Sequence, residues 1–84
     1  MTEMETRIAV IAIIVEDSSS AVEINSLLHE YSPHIIGRMG IPYPAKKVSL
    51  ISVAIDAPAD VISALTGKLG RVNGVTVKTA YSKM

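Results

Sequence analysis

Cysteine is absent from the 84 residues, so no disulfide can staple the fold. Histidine occurs only twice, at His29 and His34, which is too little for a four-ligand structural zinc site. Phenylalanine and tryptophan are missing as well, and with them the aromatic platform on which an RNA-binding sheet stacks bases. Neither charge prevails: 8 Lys and Arg face 8 Asp and Glu, leaving no basic footprint for a phosphate backbone. Direct binding of nucleic acid is therefore not expected. Long apolar runs are lacking too, since the longest, Ile8 to Val15, is far below the roughly 20 residues of a membrane helix. Glu3 and Glu5 stand where a secretory leader carries positive charge, and Glu16-Asp17 follow where its small-residue cleavage site belongs. The chain reads as cytoplasmic, with no membrane partner.

What remains is a small and unusually apolar chain. Hydrophobic residues make up 49% and the mean hydropathy is +0.39, high for a monomer of this size that has to cover itself with polar groups. One domain spanning 1–84 buries only about 60 to 65 per cent of its unfolded surface. With disulfide and zinc excluded, self-association is the remaining source of stability. Residues 1–42 hold two basic against six acidic side chains and residues 43–84 reverse that proportion, a distribution read as solvated faces.

The run Arg7 to Glu16 is apolar on both faces and predicts a central strand covered on both sides. Residues 1–6 before it are polar and expected to fray. Ser20 and Glu23 have the spacing of a capping box, and Ile24, Leu27, Leu28 and Tyr31 then follow on one helical stripe until Pro33 stops it. His34 to Ile41, interrupted by Gly37 and Gly40, predicts a bulged edge strand. Pro42 to Lys47 make the hairpin connection, and Val48 to Asp56 the second central strand, partner of the first. Pro58 as first helical residue and Asp60 beside it open a helix carrying Val61, Ile62, Leu65, Leu69 and Val72, with Gly67 placed for close packing on the sheet. Asn73-Gly74 turns the chain into an alternating last strand, Val75 to Tyr81. This βαββαβ order predicts an α+β, ferredoxin-like fold: one four-stranded antiparallel sheet with two helices on one face.

No catalytic constellation emerges. Glu16 and Asp17 are neighbours at a strand end and point apart, and Gly37-Arg38-Met39-Gly40 lies in a strand rather than at a helix start, so it cannot cradle phosphate as a loop. An acylphosphatase-like activity is disfavoured because the loop after the first strand has no arginine. The chain is thus expected not to be an enzyme and to need no cofactor. The candidate ligand-binding residues are Asp17, Ser18, Ser19 and Ser20, whose backbone N–H groups open a helix, and Arg38, whose guanidinium is little obstructed between two glycines. The alternative is a metal half-site from His29 or His34 shared across an interface.

The open side of the sheet gives the firmest expectation. Ile51, Val53 and Ile55 form the bulkier row of the third strand and are assigned to the helices, leaving Val48, Leu50, Ser52 and Ala54 facing away. On the first strand the rows are Ile8, Val10, Ala12, Ile14 and Ala9, Ile11, Ile13, Val15, so an aliphatic row must face outward in either parity. This predicts a homodimer or tetramer built through the open sheet face.

Three segments carry a resemblance: Arg7 to Asp17, Ile36-Gly37-Arg38-Met39-Gly40-Ile41-Pro42-Tyr43, and Ala64-Leu65-Thr66-Gly67-Lys68-Leu69-Gly70-Arg71-Val72-Asn73-Gly74-Val75-Thr76-Val77-Lys78. Together they resemble the iron-only hydrogenase system regulator family over nearly the whole chain. The resemblance implies a single ACT-like domain, similar also to the C-terminal domain of the nickel-responsive regulator. The Asp17-Ser18-Ser19-Ser20 loop lacks the proline-glycine pair common where ACT domains bind amino acids. The histidine-and-cysteine nickel site and the DNA-binding arm of the nickel regulator have no counterpart in these 84 residues. What the family implies is regulation of hydrogenase maturation or expression, with no ligand or catalytic residue to carry over. The expectation set beside it is a non-enzymatic, homo-oligomeric regulatory module that binds a small-molecule effector at a subunit interface and signals through partners.

Overall fold

The computed structural model describes residues 5–83. Its elements run β1 (Arg7–Val15), α1 (Ala21–Glu30), β2 (Ile35–Tyr43), β3 (Val48–Ala57), α2 (Ala59–Gly70) and β4 (Val75–Tyr81), with single 3-10 turns at Ser18–Ser20, Ser32–His34 and Pro44–Lys46. The expectation of fraying concerns residues of which 1–4 lie outside the described ones; Glu5 and Thr6 are exposed and outside any element.

The four strands form one antiparallel sheet in the order β2-β3-β1-β4. β1 pairs with β3 from Arg7 opposite Ala57 to Val15 opposite Ser49, and with β4 from Ala9 opposite Tyr81 to Val15 opposite Val75. Both helices cover one face, the ferredoxin-like α+β arrangement. Because side chains alternate across a strand, β1 sends Ala9, Ile11, Ile13 and Val15 into the core and the other row to the opposite face. β1 is central in the sheet, and within one subunit the helices cover it on one side only, so cover on the second side would have to come from outside the subunit. A run of β-branched residues meets two demands here, burial on one face and strand propensity on the other.

The core joins that row to Val53, Ile55 and Ala57 of β3, Ile24 and Leu28 of α1, and Ile62, Leu65 and Leu69 of α2, with Val72 just beyond. Each buried leucine or isoleucine contributes about 1.5–3 kcal/mol of transfer free energy. Leu27, Tyr31 and Val61 flank this stripe, half-buried. Lys68 ties the two helices at their outer edge, with Nζ 3.2 Å from the Glu30 carboxylate and 5.0 Å from the centre of the Tyr31 ring. The Tyr31 side chain, then Glu30, raise its pKa above the ordinary lysine value.

Local details depart from the sequence reading in four places. The capping box at Ser20 and Glu23 does not form: Ser20 has helical dihedrals and its side chain makes no cap bond. Asp17 caps the preceding 3-10 turn instead. Pro58 is the residue before α2 rather than its first, with φ −56° and ψ 148°, and its carbonyl accepts from the Val61 and Ile62 N–H groups. Gly67 does not pack on the sheet, since a Cβ there would meet only the tip of Arg71 at 3.7 Å. Finally, β2 continues through Pro42 and Tyr43, because an edge strand tolerates a proline whose missing N–H points outward. The bulge expected in β2 falls between Ile35 and Gly37.

Candidate functional site

The β1–α1 loop is held from below. Its Glu16 N–H donates to the Gly74 carbonyl at 2.7 Å, and the Ser20 hydroxyl donates to the Asn73 carbonyl at 2.6 Å. Gly74 has φ +70°, and a Cβ on it would come 2.6 Å from the Cβ of Asp17, so only glycine fits this turn against this loop. Above that clasp the Asp17 carboxylate accepts from the Ser19 N–H at 3.0 Å and the Ser19 hydroxyl at 2.7 Å. These bonds favour the ionised form and hold the Asp17 pKa below its ordinary value, the hydroxyl bond contributing most. Ser18 is exposed and Ser20 is buried.

Two clefts open beside this loop, the first on the helix side of β2 and β3. The first, about 190 Å³, lies between β2 and the start of α1; Ala21, Asn25, Arg38, Gly40 and Ser49 line it over a floor of Val15 and Ile51. Arg38 stands opposite Val53 in the β2–β3 register, on the face the helices cover, and its Nη2 donates to the Asn25 Oδ1 at 2.5 Å. The second cleft, about 470 Å³, runs between the loop and the β2–β3 hairpin, with Asp17 and Ser18 on one wall and Tyr43 and Lys47 on the other. Lys47 takes the left-handed conformation, φ 57°, that lets the hairpin close. Val15, Pro42 and Ser49 line both clefts.

The candidate ligand residues therefore separate. Arg38 belongs to the first cleft, Asp17 and Ser18 to the second, Ser19 serves the Asp17 cap, and Ser20 turns inward. Asn25, Ser49, Tyr43 and Lys47 join them, four residues the sequence did not mark as site residues, together with Gly40, which it marked as leaving room beside Arg38. Asn25 reads as a solvated helix residue, and only the crossing of α1 over β2 brings it to Arg38. His29 is exposed in the last turn of α1 and His34 is half-buried in the following 3-10 turn. Among the described residues no group of three or more His, Cys, Asp and Glu could hold a metal ion.

The opposite sheet face is open and apolar. Val10 is 45% exposed, Ile14 40%, Leu50 41%, Met39 60%, and Ile41 and Tyr43 49% each. The registers set these side chains on one surface, with Ala12 and Ala54 among them and Thr76 and Lys78 of β4 at the rim. A hollow of about 230 Å³ lies in this face, bordered by Met39, Ile41, Leu50 and Ser52. No helix among the described residues is long and apolar enough to cross a membrane.

Residues 7–79 match the model of the TM1266-like family, described as "Iron-only hydrogenase system regulator, putative". The chain belongs to this family. Among solved structures it is similar to uncharacterized protein TM1266 from Thermotoga maritima, with 35% sequence identity and a TM-score of 0.90 over 94% of this chain and all of that one. A formyltetrahydrofolate deformylase from Pseudomonas putida KT2440 matches at 11% identity, with a TM-score of 0.62 over 87% of this chain and 28% of the deformylase. That second likeness is one of fold alone. No curated protein matches the chain significantly. The stretches that suggested the family, Arg7 to Asp17, Ile36 to Tyr43 and Ala64 to Lys78, all fall within the matched span.

Proposed function

We propose that the chain is a non-enzymatic, cytoplasmic, ACT-like regulatory module of an iron-only hydrogenase system, a homo-oligomer that senses a small-molecule effector. The observation that carries the regulatory part is the family match across residues 7–79. The open face supports the oligomeric part. Four strands about 4.8 Å apart and about nine residues long, at about 3.3 Å per residue, make a face on the order of 20 by 30 Å. That compares with the roughly 800 Å² per partner of a standard interface. Its centre is aliphatic, its β2 edge adds Met39, Ile41 and Tyr43, and polar Thr76 and Lys78 bound it on the β4 side, consistent with a surface covered by protein.

Such a module works without gripping DNA. Its charge is balanced, and its two helices use their apolar stripes on the core. Ligand state or oligomer state is then what a partner protein reads. Deleting the chain from its host tests the reading: transcript or maturation of the hydrogenase should change and return when the wild-type chain is resupplied. Hydrogenase levels unaffected by the deletion, in both hydrogen-producing and non-producing growth, would overturn it.

A further inference from the structure

A sheet face that builds an oligomer leaves the cleft between β2 and α1 without a role, because that cleft opens on the opposite side of the sheet. Its volume of about 190 Å³ is below the roughly 300 Å³ where drug-sized ligand pockets begin, so its occupant has few heavy atoms. Arg38 is the cation of the cleft, and no described carboxylate pairs with it. One of the guanidinium's five N–H donors goes to Asn25 Oδ1. That bond fixes the plane of the fork and leaves donors free for two parallel bonds to a carboxylate. The floor is aliphatic, from Val15 and Ile51, Ala21 adds a methyl to the lining, and Ser49 adds a hydroxyl. A Cβ on Gly40 would meet nothing within 4 Å: the glycine keeps this space open.

We propose that this cleft is the effector site, and that it takes a small monocarboxylate with a short aliphatic body. The proposal rests on the reading of the chain as an effector-sensing module. Charge decides the class, since one guanidinium and a neutral amide balance one negative charge, whereas a phosphate dianion calls for further cations. Position supplies the link to regulation. Ile41 and Ile51 border both this cleft and the hollow in the open face, so an occupant bears on the strand pair that carries the interface.

Amide ¹H–¹⁵N spectra of the wild-type chain, titrated with straight and branched monocarboxylates from propionate to 4-methylvalerate, test it. Expected are saturable shifts at Ala21, Asn25, Arg38 and Gly40 from at least one acid and none from its primary amide. Affinity should fall about tenfold or more in Arg38→Met, and Gly40→Val should abolish binding by filling the cleft. Both variants alter exposed positions of an edge strand and should melt near the wild-type temperature. Binding that survives both variants, shifts from inorganic phosphate with none from any acid, or no saturable shift at all would each overturn the proposal. Light scattering on the same samples separates the two readings. An oligomer that binds no acid overturns the site alone, and a monomer that binds one supports the site while removing the oligomer.

Discussion

At the scale of single residues, the β1–α1 loop shows how a serine-rich stretch divides its tasks. Asp17 is the cap and Ser19 its double donor, while Ser20 reaches 53 positions along the chain to the Asn73 carbonyl. Because both Ser19 bonds favour the carboxylate, the folded pKa of Asp17 lies below the unfolded one. A depressed carboxylate pKa contributes stability that is present above the unfolded value, about 3.9, and is lost as pH falls through the folded value. Asp17→Asn keeps a capping acceptor but cannot titrate. The melting temperature of the wild type, followed from neutral pH to about pH 3, should therefore fall more steeply than that of the variant; parallel curves would show that the cap bonds carry no proton linkage. The S-x-x-E spacing at Ser20 pointed to a capping box because spacing reports what a local helix end allows. It cannot report that a turn four elements further along the chain offers a better acceptor. Arg38 was legible as an anion-binding candidate from its glycine neighbours, while Asn25, its partner, was not, since the bond exists only where α1 crosses β2.

At the scale of elements, the strands and helices followed their patterns closely. β4 was read to the residue, and β1 and β3 within one residue at one end, because alternation and unbroken β-branched runs are local properties. Boundaries drifted where backbone chemistry admits two answers: Pro58 can begin a helix or precede it, and Pro42 can end a strand or sit on its free edge. Gly74 is the turn where local and distant demands coincide, with φ +70° and Asp17 against its missing side chain. Asn73-Gly74 announced the turn; its contact with the far loop was hidden. Gly74→Ala should cost about 2 kcal/mol or more, combining the left-handed penalty with the clash. Ser20→Ala, which leaves the Asn73 carbonyl without that donor, should cost about 1–3 kcal/mol. The two sites share one clasp, so denaturant titration of the double variant should show a loss smaller than the sum of the single losses. Additive losses would mean that loop and turn are held independently.

At the scale of the whole molecule, topology turned two parity arguments into a surface. The row Ile51, Val53, Ile55 does face the helices, with Val53 and Ile55 fully buried. The outward row of β1 is the one with Ile8, Val10, Ala12 and Ile14, which the sequence left undecided because both rows are aliphatic. β2 adds Met39, Ile41 and Tyr43 to the same face, a contribution no reading of β1 and β3 alone could supply. An aliphatic surface this broad is at or above what small monomers usually leave in water, and at about 25 cal/mol per Å² its burial would reinforce a core limited by chain length. The direct test is light scattering of the wild type and of Leu50→Glu at micromolar concentration, since residue 50 sits near the centre of the face and tolerates a polar side chain in the isolated subunit. The wild type should be a dimer or tetramer, and the variant should be a folded monomer. A wild type that is monomeric at that concentration, or a variant that keeps the wild-type mass, would contradict the assignment of the open face as the interface.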